Sequence, residues 1–141
     1  MDRVRENTPD RINEKIDDKA RQSVENYKHA NEAKLSHRIQ ELNKEWDLER
    51  ALATTASTLT LTGLALSQTV NRRWLILPGV VAAFLLQHSL QGWCPPLPVF
   101  RALKFRNRRE IDREKYALKL LRGDFDKISE NTPAREILRA V

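Results

Sequence analysis

Residues 51–70 and 74–93 contain no Asp, Glu, Lys or Arg, in a 141-residue chain that carries 25 Lys and Arg and 19 Asp and Glu elsewhere. Only Asn71-Arg72-Arg73 separates the two stretches. At about 1.5 Å rise per residue, each forms a helix of roughly 30 Å, the thickness of a bilayer's hydrocarbon core. A helix on a soluble surface carries charge every turn or so on its wet face. The pattern therefore predicts an all-α membrane protein, a two-helix transmembrane hairpin between polar tails. The mean hydropathy of −0.59 averages this partition away.

The two stretches differ in strength. In 51–70 the Leu and Val residues contribute only about −2 to −4 kcal/mol to insertion, because Thr and Ser dilute them. Those hydroxyls can donate to carbonyls one turn earlier, which softens their cost. In 74–93 the aliphatic and Phe residues contribute about −3 to −5 kcal/mol before offsets from Gln87, His88 and Gln91. A helical hairpin buried in a soluble core is the competing reading. The first thirty residues hold no apolar run, so 51–70 is expected to act as an uncleaved anchor. Four Lys or Arg lie in 31–50 and six in 95–114, against Arg72 and Arg73 in the loop. That bias predicts both termini in the cytoplasm.

The tails read as helices. Residues 1–8 look like a flexible lead, and Thr8-Pro9-Asp10 like a helix start. Ile12, Ile16, Ala20, Val24, Tyr27, Leu35, Ile39, Leu42 and Trp46 keep helical spacing, with Asn31 filling one slot. This predicts a long amphipathic arm over 1–50, one helix from Pro9 to Leu48 that needs a partner to stay ordered. A parallel homo-oligomer through Ile16, Val24, Leu35, Ile39 and Leu42 would supply one. Residues 94–107 are Pro-rich and basic, and Phe100, Leu103 and Phe105 alternate with Arg101, Lys104 and Arg106. They read as an interfacial segment with rings down and cations up. Asn107 and Glu110 fit a capping box for a helix that opens the C-terminal region 108–141, with Gly123 ending it. Glu-Asn-Thr-Pro occurs at 6–9 and at 130–133, and both copies read as helix starts.

Membrane-interface positions are assigned to Trp46, Trp74, Trp93, Arg101, Lys104, Arg106, Arg108 and Arg109. Close helix packing is assigned to Thr58, Thr62, Gly79 and Ala83, within the hairpin or between chains. The expected partners are the bilayer with anionic headgroups, a second copy of the chain, and an unidentified cytosolic protein. The pI of 9.8 raises nucleic acid, but no recognition motif accompanies it, and anionic lipid accounts for the cations more simply. No cofactor and no metal are expected, since His29, His37, His88 and Cys94 are scattered. No catalytic constellation is visible. Cys94 is the one candidate nucleophile, and a lone Cys excludes an internal disulfide and CxxC chemistry. His88 reads as a hydrogen-bonded interfacial histidine.

The stretch Leu90-Gln91-Gly92-Trp93-Cys94-Pro95-Pro96-Leu97-Pro98 resembles the hairpin closure of the small bacterial inner-membrane family built on the YgaP-like transmembrane domain. Gly92, Cys94 and Pro95 match its Gly-x-Cys-Pro element. The run from Arg109 to Leu118, with Leu121-Arg122-Gly123-Asp124-Phe125, is similar to the tail of a subgroup with long cytoplasmic arms. The family often has Gly where this chain has Lys104. Some members carry a rhodanese domain, for which this sequence has no room, so sulfurtransferase activity does not transfer. The resemblance implies membrane location, a helical hairpin and self-association. Two function classes follow: a structural or interaction module presenting charged helices to a cytosolic partner, or a redox or sulfur-handling accessory acting through Cys94. A transport element is a third, and would need oligomerisation.

Overall fold

Helices make up 77% of the computed structural model, and no strand occurs among the described residues, which are 2–126, 128–129, 132–135 and 137. The all-α expectation holds. The second Glu-Asn-Thr-Pro copy and the short helix expected after it lie partly outside the described residues. Over residues 3–122 seven helices follow in chain order: α1 (Arg3–Glu6), α2 (Asp10–Tyr27), α3 (Glu32–Lys44), α4 (Leu48–Thr69), α5 (Ile76–Gln91), α6 (Leu97–Ala102) and α7 (Arg108–Arg122). A 3-10 turn, Arg72–Leu75, links α4 to α5. The chain divides into two units, Met1–Glu14 with Trp46–Asn107 and Lys15–Glu45 with Arg108–Val141.

The single long arm is not formed, and side-chain caps are the reason. Asn31 Oδ1 accepts from the Lys34 backbone N–H at 3.0 Å and starts α3. Asp47 Oδ1 accepts from the Arg50 N–H at 2.8 Å and starts α4. Each cap holds its residue in an extended conformation, which interrupts a helix running in from the N-terminal side. Asn31, read above as a polar filler in the apolar stripe, is a breakpoint.

Breaking the arm changes what can cover it. In the second unit Leu35, Ile39 and Leu42 of α3 are buried against Ile111 and Leu118 of α7, with Val24, Tyr27 and Ala30 packed alongside. A 15-residue α7 is too short for a forty-residue arm but suits a 13-residue α3. The side chains expected at a cytosolic contact between copies are thus mostly consumed inside one chain, and Ile16 is buried as well. Glu114, also buried, ties three helices together. Its Oε1 accepts from Ser23 Oγ on α2 at 2.5 Å and from Arg38 Nη2 on α3 at 3.0 Å. Burial disfavours the Arg38 charge, but the hydrogen bonds and fields of Glu41 and Glu114 outweigh it and raise its pKa.

In the first unit, residues 2–8 are folded rather than a loose lead. Asp2 caps α1 by accepting from the Arg5 N–H, and Val4 joins Leu48, Leu52, Cys94 and Leu97 in a small core. Trp93, Phe100 and Phe105 pack onto that core. α1 also finishes α5. The last carbonyls of a helix have no partner within it. Here Arg3 Nη1 donates to Leu90 O at 3.0 Å, and Asn7 Nδ2 donates to Gln91 O at 3.3 Å. The Arg3 cation also suits the negative end of the helix dipole.

Candidate functional site: the uncovered hairpin and its base

α4 and α5 pack side by side through Ala56 and Gly63 of α4 and Leu77, Pro78 and Val81 of α5. Gly63 sets the approach, because a Cβ there would lie 2.6 Å from Pro78 Cδ. Thr58, Thr62 and Ala83 are exposed instead, and a Cβ built on Gly79 meets nothing within 4 Å. The small faces therefore do not make the contact inside the hairpin. The two faces point away from it, a register that spacing alone could not fix.

The hydroxyls of α4 do fold back as expected. Thr58 Oγ1 donates to Thr54 O and Thr62 Oγ1 to Thr58 O, both at 2.8 Å, and Thr69 Oγ1 to Ala65 O at 2.9 Å. Among the described residues one helical stretch is long and apolar enough to cross a bilayer, the twenty residues Arg72–Gln91, in which an 18-residue window has mean hydropathy 1.4. α4 does not reach that level, since its Thr and Ser dilute the leucines. Almost none of Arg72–Gln91 is covered by the rest of the chain. Leu86 on α5 is 62% exposed and Leu61 on α4 is 68% exposed.

At the base of the hairpin, Gly92 ends α5 in the left-handed region (φ 72°), with its N–H on His88 O at 2.7 Å. A Cβ on Gly92 would lie 2.4 Å from Arg3 Cβ, so both the cap and the seating of α1 require glycine. Cys94 is buried in the small core, and burial pushes its thiol pKa up. A neutral, enclosed thiol is a poor nucleophile. The Gly-x-Cys-Pro element thus serves geometry here: a left-handed cap, a core thiol, and a proline that stops the helix. His88 and Cys94 border an apolar cavity of about 100 Å³ together with Leu52, Val81 and Phe100. His88 Nδ1 is buried with no hydrogen-bond partner, so the hydrogen bond expected of this histidine is absent at that atom. No group of three or more His, Cys, Asp or Glu among the described residues is placed to hold a metal ion.

The basic segment after the hairpin is rearranged most. Leu97 and Arg101 lie four apart on the inward face of α6, and both are 0% exposed. Arg101 Nε donates to Thr8 Oγ1 at 3.1 Å, Nη2 to Asn13 Oδ1 at 2.8 Å, and Nη1 to Phe105 O at 3.1 Å. Arg106 is buried too, and its carbonyl accepts from the Leu48 N–H at 2.8 Å. Neither arginine is a headgroup cation. The alternating reading assumed an extended segment, whereas the short helix turns every fourth residue the same way. Thr8, read as a helix cap, donates instead to Val4 O at 2.7 Å. Asn107 Nδ2 donates to both carboxylate oxygens of Asp2, at 3.0 and 2.9 Å.

Of the other interface positions, Trp46 and Trp74 are exposed, and the Arg50 guanidinium stacks 4.5 Å from the Trp46 ring centroid. Trp93 is half-buried on the small core. Lys104, Arg108 and Arg109 are exposed. The chain matches no known family model, no curated protein and no solved structure.

Proposed function

We propose that the chain is an integral protein of a bacterial inner membrane, anchored by α4 and α5 as a two-helix hairpin. Arg72 and Arg73 lie outside and both tails lie in the cytoplasm. Its role is that of a structural or interaction module, presenting charged helices to a cytosolic protein partner, without catalysis. The observation that carries the anchor is the uncovered apolar surface of α5 and α4. Leaving that surface in water would forgo about 25 cal/mol per Å², and a bilayer covers it. The return of the α4 hydroxyls to their own helix supports the weaker span as a second membrane helix. The burial of Cys94 favours this reading over redox or sulfur chemistry. Kinship with YgaP-like hairpins belongs to the same proposal, supported by the geometric role of Gly92 and Cys94. Self-association is assigned to the outward faces of Thr58, Thr62, Gly79 and Ala83, since the arm's apolar residues are occupied.

The test is fractionation with topology reporters. The protein is expected in membranes and resistant to alkaline carbonate. A reporter at either terminus is active only in the cytoplasm, and one inserted beside Asn71 only outside. Carbonate extraction would overturn the anchor. A cytoplasmic Asn71 reporter would overturn the hairpin and leave at most one span.

A further inference from the structure

We infer that α6 is a membrane-boundary helix, seated with Val99 and Leu103 in the acyl edge of the leaflet at the base of the hairpin. The inference rests on the anchor proposed above and adds a second lipid contact to it.

α6 has two opposed faces. Leu97, Phe100 and Arg101 point into the small core. Pro98, Val99, Ala102 and Leu103 point out, with Val99 60% and Leu103 66% exposed. The outward face holds no charge, and Lys104 follows at its end. The orientation is fixed rather than incidental. The Arg101 guanidinium is clamped to Thr8, Asn13 and Phe105 O, so the helix cannot roll without breaking a buried network. This inverts the arrangement suggested by the sequence: the rings and arginines are the inner side, and the aliphatic residues the outer one.

What covers that face is argued from its size, its chemistry and its place. A six-residue helix offers far less than the roughly 800 Å² per partner of a stable protein interface, so a second copy is a poor occupant. An aliphatic face bordered by a lysine suits the acyl–headgroup boundary, where apolar side chains sink and cations stay at the surface. α6 lies against the hairpin, since Phe100 lines one apolar cavity with Leu59 of α4 and Val81, Phe84 and Leu85 of α5. Exposed Trp46, an amphipathic ring suited to the same boundary, precedes Leu48, whose N–H is bonded to Arg106 O at this end.

The experiment uses full-length protein, with Cys94→Ala, in vesicles of phosphatidylcholine and phosphatidylglycerol. Nitroxides are placed one at a time through Val99→Cys, Leu103→Cys, Lys104→Cys and Leu86→Cys. Accessibility to oxygen and to a water-soluble nickel chelate is then compared. The expected oxygen-to-nickel ratio at 99 and 103 is several-fold above that at 104 and below that at 86. If 86 is lipid-exposed while 99 and 103 match 104, α6 lies in water; the inference falls and the anchor stands. If 99 and 103 are shielded from both reagents, a protein covers them and the inference falls. If 86 also favours nickel, the anchor and the inference fall together.

Discussion

The α3–α7 pair and the α4–α5 pair are both two-helix contacts, yet they place apolar side chains on opposite sides. In the first, Leu35, Ile39, Leu42, Ile111 and Leu118 face inward, while the exposed positions of α7 mix Arg108, Arg109 and Arg113 with Tyr116, Leu120 and Leu121. In the second, a thin seam at Gly63 and Val81 holds the helices together while Leu61, Leu86 and Leu90 face out. The first solves folding in water, where burying leucine is the driving force. The second makes sense where the surroundings are themselves apolar and small residues set helix approach. On the proposed anchor, one chain carries both solutions.

An aspartate placed in each pair breaks the comparison most sharply. Leu42→Asp puts an unpaired carboxylate into a fully buried site, at a cost of at least about 4 kcal/mol. Circular dichroism should show loss of the α2, α3 and α7 helicity. Leu86→Asp leaves helicity intact but costs insertion about 3 kcal/mol, read as a larger carbonate-soluble fraction. If both variants melt alike, the hairpin is an ordinary water-type core and the contrast disappears.

Gly92→Ala tests the base of the hairpin. It forces a left-handed alanine and drives a Cβ into Arg3, for a combined loss of roughly 2–3 kcal/mol. The expected readout is faster proteolysis within residues 2–8 with the second unit's melting unchanged. An unchanged digestion pattern would mean α1 is not seated there.

Acid separates the two pairs next. Asp124 is held below the ordinary carboxylate value of 3.8, chiefly by its hydrogen bonds from Arg122, at 2.7 and 2.5 Å. A depressed folded pKa adds stability above the unfolded pKa, and that stability goes as pH drops through the folded value. Melting of the second unit should therefore weaken below about pH 4, by up to about 1 kcal/mol from this pair. Asp124→Asn should remove that share of the slope. The charge-free stretches of α4 and α5 carry no carboxylate to titrate with it.

The sequence made the helices and the charge partition legible because both are local patterns. The apolar arm positions from Ile12 to Leu42 fall on helices, whereas Trp46 lies between α3 and α4, and the α4 hydroxyls did what their spacing suggests. What stayed hidden was non-local. Arg101 finds Thr8 and Asn13 across about ninety residues of chain, so no window around 101 reveals that its charge is buried. Asn31 and Asp47 are residue types that cap helices, but the apolar spacing continues past Asn31, so the expected helix ran through it, and with that went the partner of α3. The register of the hairpin was hidden too, since Gly63 and Gly79 are equally small and only packing chooses between them.

The smallest expected effect concerns Lys104, and it has the opposite sign. Lys104 is the one non-glycine residue with positive φ among the described residues, at 66°. It occupies the position just after α6, where the Phe105 N–H reaches back to Phe100 O at 3.1 Å and the Lys104 N–H to Arg101 O at 2.9 Å. That is the Schellman arrangement, and its usual hydrophobic contact is present as an edge-to-face pair of Phe100 and Phe105, with centroids 5.5 Å apart. Glycine takes this conformation without the steric cost that a Cβ brings, roughly 1–2 kcal/mol, and gives part of that back through its freer unfolded chain. Lys104→Gly should raise the stability of the first unit by about 0.5–1 kcal/mol, read as a higher detergent-solubilised melting temperature. It also removes a cation beside the outward face of α6, so binding to phosphatidylglycerol vesicles should become slightly less salt-sensitive while the fold tightens. A variant that is less stable would mean the lysine side chain earns more through its own contacts than the backbone loses. The turn after α6 would then be held by lipid-facing charge rather than by backbone geometry.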